Sequence, residues 1–123
     1  MNRQLVVAVG LIEYQGKFLL TRRVSPKHPQ WHHRFELPGG KINPKETPLH
    51  ALHREIFEET NLKVVQPLLL GCYTHHWQVE DGIQQTFILL YHCIAENQKV
   101  LLKPDESDAY IWEDLDAIIK MDN

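Results

Sequence analysis

Apolar residues crowd the start of the chain. Leu5, Val6, Val7, Ala8 and Val9 run together and Leu11 and Ile12 follow, which predicts a strand over Leu5 to Glu13. A second strand over Lys17 to Arg22, with Gln15-Gly16 between the two, completes a hairpin signal. The pattern then breaks: residues 24 to 34 hold Pro26, Pro29 and three histidines, and read as a loop. Phe35-Glu36-Leu37 predicts a short strand that ends at Pro38-Gly39-Gly40, and Lys41 to Glu46 reads as another loop.

Thr47-Pro48 is a helix opening, with a hydroxyl at the N-cap and proline in the first turn. The helix should run to about Thr60 with Leu49, Leu52 and Ile56 as its apolar stripe, and Asn61 suits a left-handed residue just past its end. Val64 to Thr74 and Gln85 to Ala95 predict two further strands joined by a loop around Asp81-Gly82, and Tyr110-Ile111-Trp112 a short one. Asp114 onward, with Leu115, Ile118 and Ile119, starts a closing helix. Strands that come both as hairpins and across a helix imply an α/β fold with a mixed sheet and helices on its faces.

At 123 residues the chain reads as one domain without internal repeats, and 43 % apolar with 24 % charged residues is ordinary for a globular protein. The N-terminal apolar run is too short for a membrane span and lacks a secretory cleavage pattern, so no membrane partner and a cytoplasmic location are expected. Cys72 and Cys93 form no CxxC pair and read as reduced thiols in strands. A net charge of −3 speaks against a partner that is a long nucleic acid, though not against small phosphorylated ligands whose charge is met through metal ions.

The chemistry concentrates between Gly40 and Leu62. There Glu46, Arg54, Glu55, Ile56, Glu58, Glu59, Asn61 and Leu62 follow Gly40 at fixed spacings. On a helix Glu55, Glu58 and Glu59 stand at i, i+3 and i+4, where like charges repel unless a cation lies between them. A solvated acidic face with Arg54-Glu58 as an ordinary ion pair is the bland explanation; a divalent metal is the functional one. Magnesium takes hard oxygen ligands from a few carboxylates and the substrate's own phosphates, which suits hydrolysis of a diphosphate bond.

With one substitution, Asn61 where glycine is usual, these residues resemble the Nudix box, and the likeness runs on through Leu37-Pro38-Gly39-Gly40-Lys41 and Trp112-Glu113-Asp114-Leu115-Asp116. The chain is similar to a Nudix hydrolase over nearly its whole length, residues 1 to 123. The resemblance implies an α/β/α sandwich around a mixed sheet, substrates made of a nucleoside diphosphate linked to another moiety, and magnesium or manganese as cofactor. It implies Glu55, Glu58 and Glu59 as metal ligands, Glu55 also as a candidate base, the Gly39 carbonyl as a further ligand, and Arg54 and Glu46 as braces. A late-loop carboxylate often completes such sites; Glu106 is the candidate, Asp108 the alternative, and Ala109 stands where relatives often carry an acid.

Arg22, Arg23 and Lys41 flank the box and are candidates to grip phosphates, Arg22 and Arg23 the more so because a strand end is a firm mount. Trp31 and Trp77 are candidates to line a base pocket, whereas Trp112 reads as core. Cys72, His75, His76, His92 and Cys93 lack the paired spacing of a zinc site. The expected activity is metal-dependent pyrophosphohydrolysis of a nucleoside triphosphate, as in the MutT-like branch. ADP-ribose, a nucleotide sugar or a dinucleoside polyphosphate is the alternative substrate, a non-catalytic nucleotide sensor the alternative class, and either a monomer or a homodimer is compatible with the chain.

Overall fold

The structure is a computed structural model and describes residues 2–121. The opening apolar run becomes β1 (Arg3–Tyr14), and the Gln15-Gly16 turn, with φ of 50° and 81°, returns the chain as β2 (Lys17–Arg23). After the loop come β3 (Phe35–Glu36), β4 (Gly39–Lys41), α1 (Pro48–Thr60), β5 (Val64–Val79), β6 (Gly82–Ala95), β7 (Ser107–Glu113) and α2 (Leu115–Lys120). The strands form a seven-stranded sheet with the path β3-β2-β1-β6-β5; β4 pairs with β1 and β7 with β2. β1 and β6 run parallel from Arg3↔Gln84 to Glu13↔Ile94, while the other pairs are antiparallel, so the sheet is mixed as expected and the fold is α/β.

One detail of this pairing positions the site. β1 and β2 are in register only beside their turn, at Glu13↔Phe18 and Tyr14↔Lys17. Beyond it they part, β4 taking up Val7 to Val9 of β1 while β3 and β7 take up β2. Gly39 and Gly40 therefore lie in a fork of the sheet rather than in a free loop, and α1 packs over β1 and β4.

Alternation along β1 buries Ala8, Gly10 and Ile12, and the core joins Ala8 and Ile12 to Leu19, Leu52, Ile56, Leu62 and Cys93. On α1 the buried residues are Ala51, Leu52, Ile56 and Thr60. The expected stripe needs correction at Leu49, which stays 43 % exposed while Ala51 is buried alongside Leu52 and Ile56. A second correction concerns residues 75 to 85: they continue β5 and β6 into a hairpin whose strands pair down to Val79↔Gly82, leaving no long loop. Gly82, at φ 153°, supplies backbone freedom at that turn. Trp112 packs against the core, its ring 6.2 Å from Tyr14. Among the described residues no helix is long and apolar enough to cross a membrane.

Candidate active site

α1 starts and stops where its local chemistry requires. Thr47 accepts a hydrogen bond from the His50 backbone N–H (3.1 Å) and Pro48 stands where no intrahelical N–H is needed. At the other end Asn61 takes the left-handed conformation (φ 64°) and its N–H bonds the Phe57 carbonyl at 2.8 Å. Thr60 is buried; its hydroxyl donates to the Ile56 carbonyl and accepts from the Leu62 N–H, locking the last turn to the chain that follows. Between these caps the helix holds Arg54, Glu55, Glu58 and Glu59 at the fork.

The β1–β4 ladder sets the opposite wall. Gly10 N–H bonds the Pro38 carbonyl and Ile42 N–H bonds the Val6 carbonyl. By antiparallel alternation the backbone groups of Gly39 and Lys41 then turn away from β1, toward α1. The Gly39 N–H donates to Glu59 Oε2 at 3.3 Å, and the Lys41 carbonyl accepts from Arg54 Nη2 at 3.0 Å. Only glycine fits at 39, since a Cβ there would lie 2.6 Å from Val9 Cα and the residue sits at φ 154°.

Arg54 is the hub of the brace. Its guanidinium donates to both carboxylate oxygens of Glu46, Nη2 to Oε1 at 2.9 Å, and Nη1 donates to Glu58 Oε1 at 3.1 Å and lies 3.6 Å from Glu55 Oε2. Glu46 also accepts from the Asn43 N–H (2.9 Å). The Arg54 hydrogen bonds, helped by that amide, hold the Glu46 carboxyl down at about 2, and Glu46 in turn raises the Arg54 pKa.

Between α1, β2, β4 and the start of β7 lies a cleft of about 310 Å³ lined by Glu36, Glu55, Glu59, Asp105 and Glu106 among others. Among the described residues Arg23 is the one cation on that lining. Burial, and after it the Glu55 charge, pushes Glu59 up to about 8; the Gly39 N–H works against them, and Glu106 and Glu36 add to the rise. Glu55 is raised by burial despite Arg54, and Glu36 by burial despite Arg23 and Arg34. Burial is thus the first cause of the rise at all three carboxylates.

Not every expected site residue reaches the cleft. Glu55, Glu59, Gly39, Glu106 and Arg23 line it. Glu58 points to Arg54 with its side chain 46 % exposed, and Lys41 contributes its backbone carbonyl to Arg54. Arg22 is not on the lining: its Nε donates to Asp108 Oδ1 at 2.7 Å, and Asp108 Oδ2 lies 3.2 Å from His33 Nε2. Those contacts depress the Asp108 pKa and tie β2, β7 and the 24–34 loop together. Glu36 is the residue the sequence reading passed over. Its signal was an acid set between Phe35 and Leu37 immediately before Pro38-Gly39-Gly40.

An aromatic group adjoins the cleft through Arg23, whose guanidinium lies 5.7 Å from the Trp31 ring and 3.5 Å from Glu36. Trp31 meets Trp77 of β5 edge-on at 5.5 Å, and His75 lies 4.1 Å from Trp77. The 24–34 loop thus reaches across to the far strand of the sheet, a contact between residues 46 positions apart in the chain.

The carboxylate donors are hard oxygens of the kind that suit magnesium or manganese. Among the described residues, however, no three His, Cys, Asp or Glu side chains are already gathered into a metal cage. The arrangement fits an ion that takes part of its shell from water and from a bound phosphate.

Comparison with known proteins adds independent findings. The NUDIX domain family model matches residues 1–123. Nucleoside triphosphatase NudI of Klebsiella pneumoniae (strain 342) is 31 % identical over 120 residues, covering 89 % of this chain and 82 % of that protein. An RNA pyrophosphohydrolase of Bartonella henselae is 25 % identical over 132 residues, covering 91 % of this chain and 76 % of its own length. A crystal structure of a MutT NUDIX hydrolase from Burkholderia pseudomallei superposes with a TM-score of 0.80 at 27 % identity, covering 93 % of this chain and 85 % of that one.

Proposed function

The chain belongs to the NUDIX domain family and is a pyrophosphate-bond hydrolase, and from that premise we propose that it hydrolyses a nucleoside triphosphate with a divalent metal, magnesium or manganese. The observation that carries the reading is the cleft into which α1 presents Glu55 and Glu59, with β4 and Glu106 as its other sides. In this reading Glu55, Glu59 and the Gly39 carbonyl hold the metal. Glu58 joins them only by leaving Arg54. When bound, the ion offsets the charge of the phosphate oxygens and acidifies water.

The protein's own groups do the rest. Glu106 is the candidate base for the attacking water, Glu55 the alternative, and the water oxygen forms a bond to phosphorus as the bridging P–O bond breaks. The water's proton passes to the base, and the leaving phosphate departs with the bridging oxygen. Arg23 at the cleft rim neutralises a non-bridging oxygen, a role for which the sequence had favoured Arg22 and Arg23 over Lys41. Arg54 and Glu46 keep α1 and the Lys41–Glu46 segment in register. The substrate's nucleobase rests against the Trp31–Trp77 corner that Arg23 joins to the cleft.

A second reading comes from the relatives named RNA pyrophosphohydrolase, since an RNA bearing a 5′-triphosphate would present this cleft with the same kind of bond. Incubation with magnesium and a panel of ribo- and deoxynucleoside triphosphates, ADP-ribose, a dinucleoside polyphosphate and a short 5′-triphosphorylated RNA separates the readings by product. Turnover of triphosphates above the other compounds supports the proposal. Faster release of pyrophosphate from the RNA would replace it with the second reading, and preference for ADP-ribose would reject both.

A further inference from the structure

Val24 and Ser25, at the start of the 24–34 loop, form part of the cleft wall. The Val24 N–H donates to the Glu106 carbonyl at 2.9 Å, which ties the wall to the residue before β7. Two histidines of the same loop hold Ser25. Its N–H donates to His32 Nδ1 at 2.9 Å, and its hydroxyl lies 3.1 Å from His28 Nδ1. The third histidine, His33, stacks on His32 with ring centroids 3.7 Å apart and reaches Asp108 Oδ2 at 3.2 Å.

These three contacts respond differently to acid, and histidine is the side chain that changes charge between about pH 5 and 8. A hydroxyl donates and accepts, so Ser25 Oγ can turn to accept from a protonated His28. Asp108 accepts from His33 in either state. A backbone N–H only donates, so His32 Nδ1 must be bare and the ring's proton sits on Nε2. A second proton on His32 goes to Nδ1 and sets two donors against each other. The titratable and charged groups around His32 are His28 and His33 of the loop, Asp108 of β7 and Arg22 of β2 behind His33, and Arg34, whose Nη1 donates to the Gln30 carbonyl at 3.2 Å. None of these contacts gives the Ser25 N–H another acceptor.

We infer that His32 is a positioning residue: its neutral form fixes the Val24–Ser25 wall of the cleft, and its protonation releases that wall, so that substrate is held less tightly in acid. Glu106 keeps its own turn through the bond from its N–H to the Lys103 carbonyl (2.9 Å), so the effect falls on KM rather than kcat. The consequence for substrate rests on the triphosphate reading proposed above, whereas the hold of His32 on Ser25 does not.

Imidazole nitrogen NMR and amide exchange on the full metal-free chain test the hold without any substrate. His32 should carry its proton on Nε2 at about pH 8, and the Ser25 amide should lose its protection in step with the arrival of the second proton on His32. Kinetics with saturating magnesium and a nucleoside triphosphate test the consequence. In His32→Asn, Oδ1 takes the place of Nδ1 as an acceptor that does not titrate. Between about pH 8 and pH 5 the KM of wild type should rise about fivefold more than that of His32→Asn, the worth of one hydrogen bond, with kcat following the same course in both. His32→Phe keeps a ring to stack but has no acceptor, and its KM should be raised at both pH values. If no triphosphate is turned over, the triphosphate reading falls and the spectra of the wild-type chain still decide the hold, as they do if a variant fails to fold. A His32 proton on Nδ1, Ser25 protection that does not follow His32, or the same pH dependence of KM in wild type and His32→Asn overturns the inference.

Discussion

The Glu55 carboxyl group fills the space into which a side chain at position 40 would grow: a Cβ on Gly40 would stand 2.5 Å from Glu55 Cδ and 2.7 Å from Oε1. The strand therefore lacks a side chain there so that the helix can place a carboxylate at the fork. Gly40→Ala should fold normally, because the obstacle is the free end of a flexible side chain, yet lose about 10²-fold in turnover through the misplaced carboxylate. Turnover measured beside circular dichroism and Tm checks this, and undiminished turnover would remove Glu55 from the chemistry.

Glu59 links the site to stability. Its folded pKa, about 8, lies above the ordinary carboxylate value of 4.5, so between those values the folded metal-free chain binds more protons than the unfolded one. Its contribution to stability is fully present below about 4.5 and is lost as pH rises through about 8. Tm of the metal-free protein should fall over that window, Glu59→Gln should flatten the fall, and magnesium should raise Tm more at pH 8 than at pH 5. A wild-type profile identical to that of Glu59→Gln would contradict the burial of this charge.

Glu58 and Glu59 are neighbours in sequence but not in placement. Glu59 lines the cleft, while Glu58 faces Arg54 and solvent. Glu59→Gln should cost about 10³-fold or more in kcat and Glu58→Gln about tenfold. Equal losses would show that Glu58 swings into the metal shell.

Glu46 acts through Arg54. Glu46→Gln leaves Arg54 fewer charged partners, and a loss of about 10–100-fold in activity is expected, the usual effect of disturbing a group that orients metal ligands. The folded pKa of Glu46, about 2, lies below its ordinary value, so its support is present above about 4.5 and is lost as pH falls through about 2. Comparing acid unfolding of wild type and Glu46→Gln tests the second statement and kinetics the first.

For the late carboxylate, Glu106→Gln should reduce kcat by about 10²–10⁴-fold, the range for loss of a general base. Asp108→Asn should instead lower Tm by loosening Arg22 and His33, with kcat nearly unchanged. The reverse pattern would transfer the base to Asp108.

Much of this protein is local in origin and so can be read along the chain. The caps at Thr47-Pro48 and Asn61, the Gln15-Gly16 turn and the spacing of Arg54, Glu55, Glu58 and Glu59 depend on residues within a few positions of one another. Those patterns determined the α/β class, the helix that bears the carboxylates and the reaction class. Tertiary structure decided what depends on strands that meet from far apart. The parting of β1 from β2 let Gly39–Lys41 pair with β1 as a strand of its own, brought Glu36 to the cleft and took Arg22 and Asp108 into a brace. The same long-range pairing carried β5 past its expected end to put Trp77 against Trp31. Whether a charged side chain faces a cleft, a partner or solvent is set by what packs across from it, and along the chain those partners lie tens of residues away.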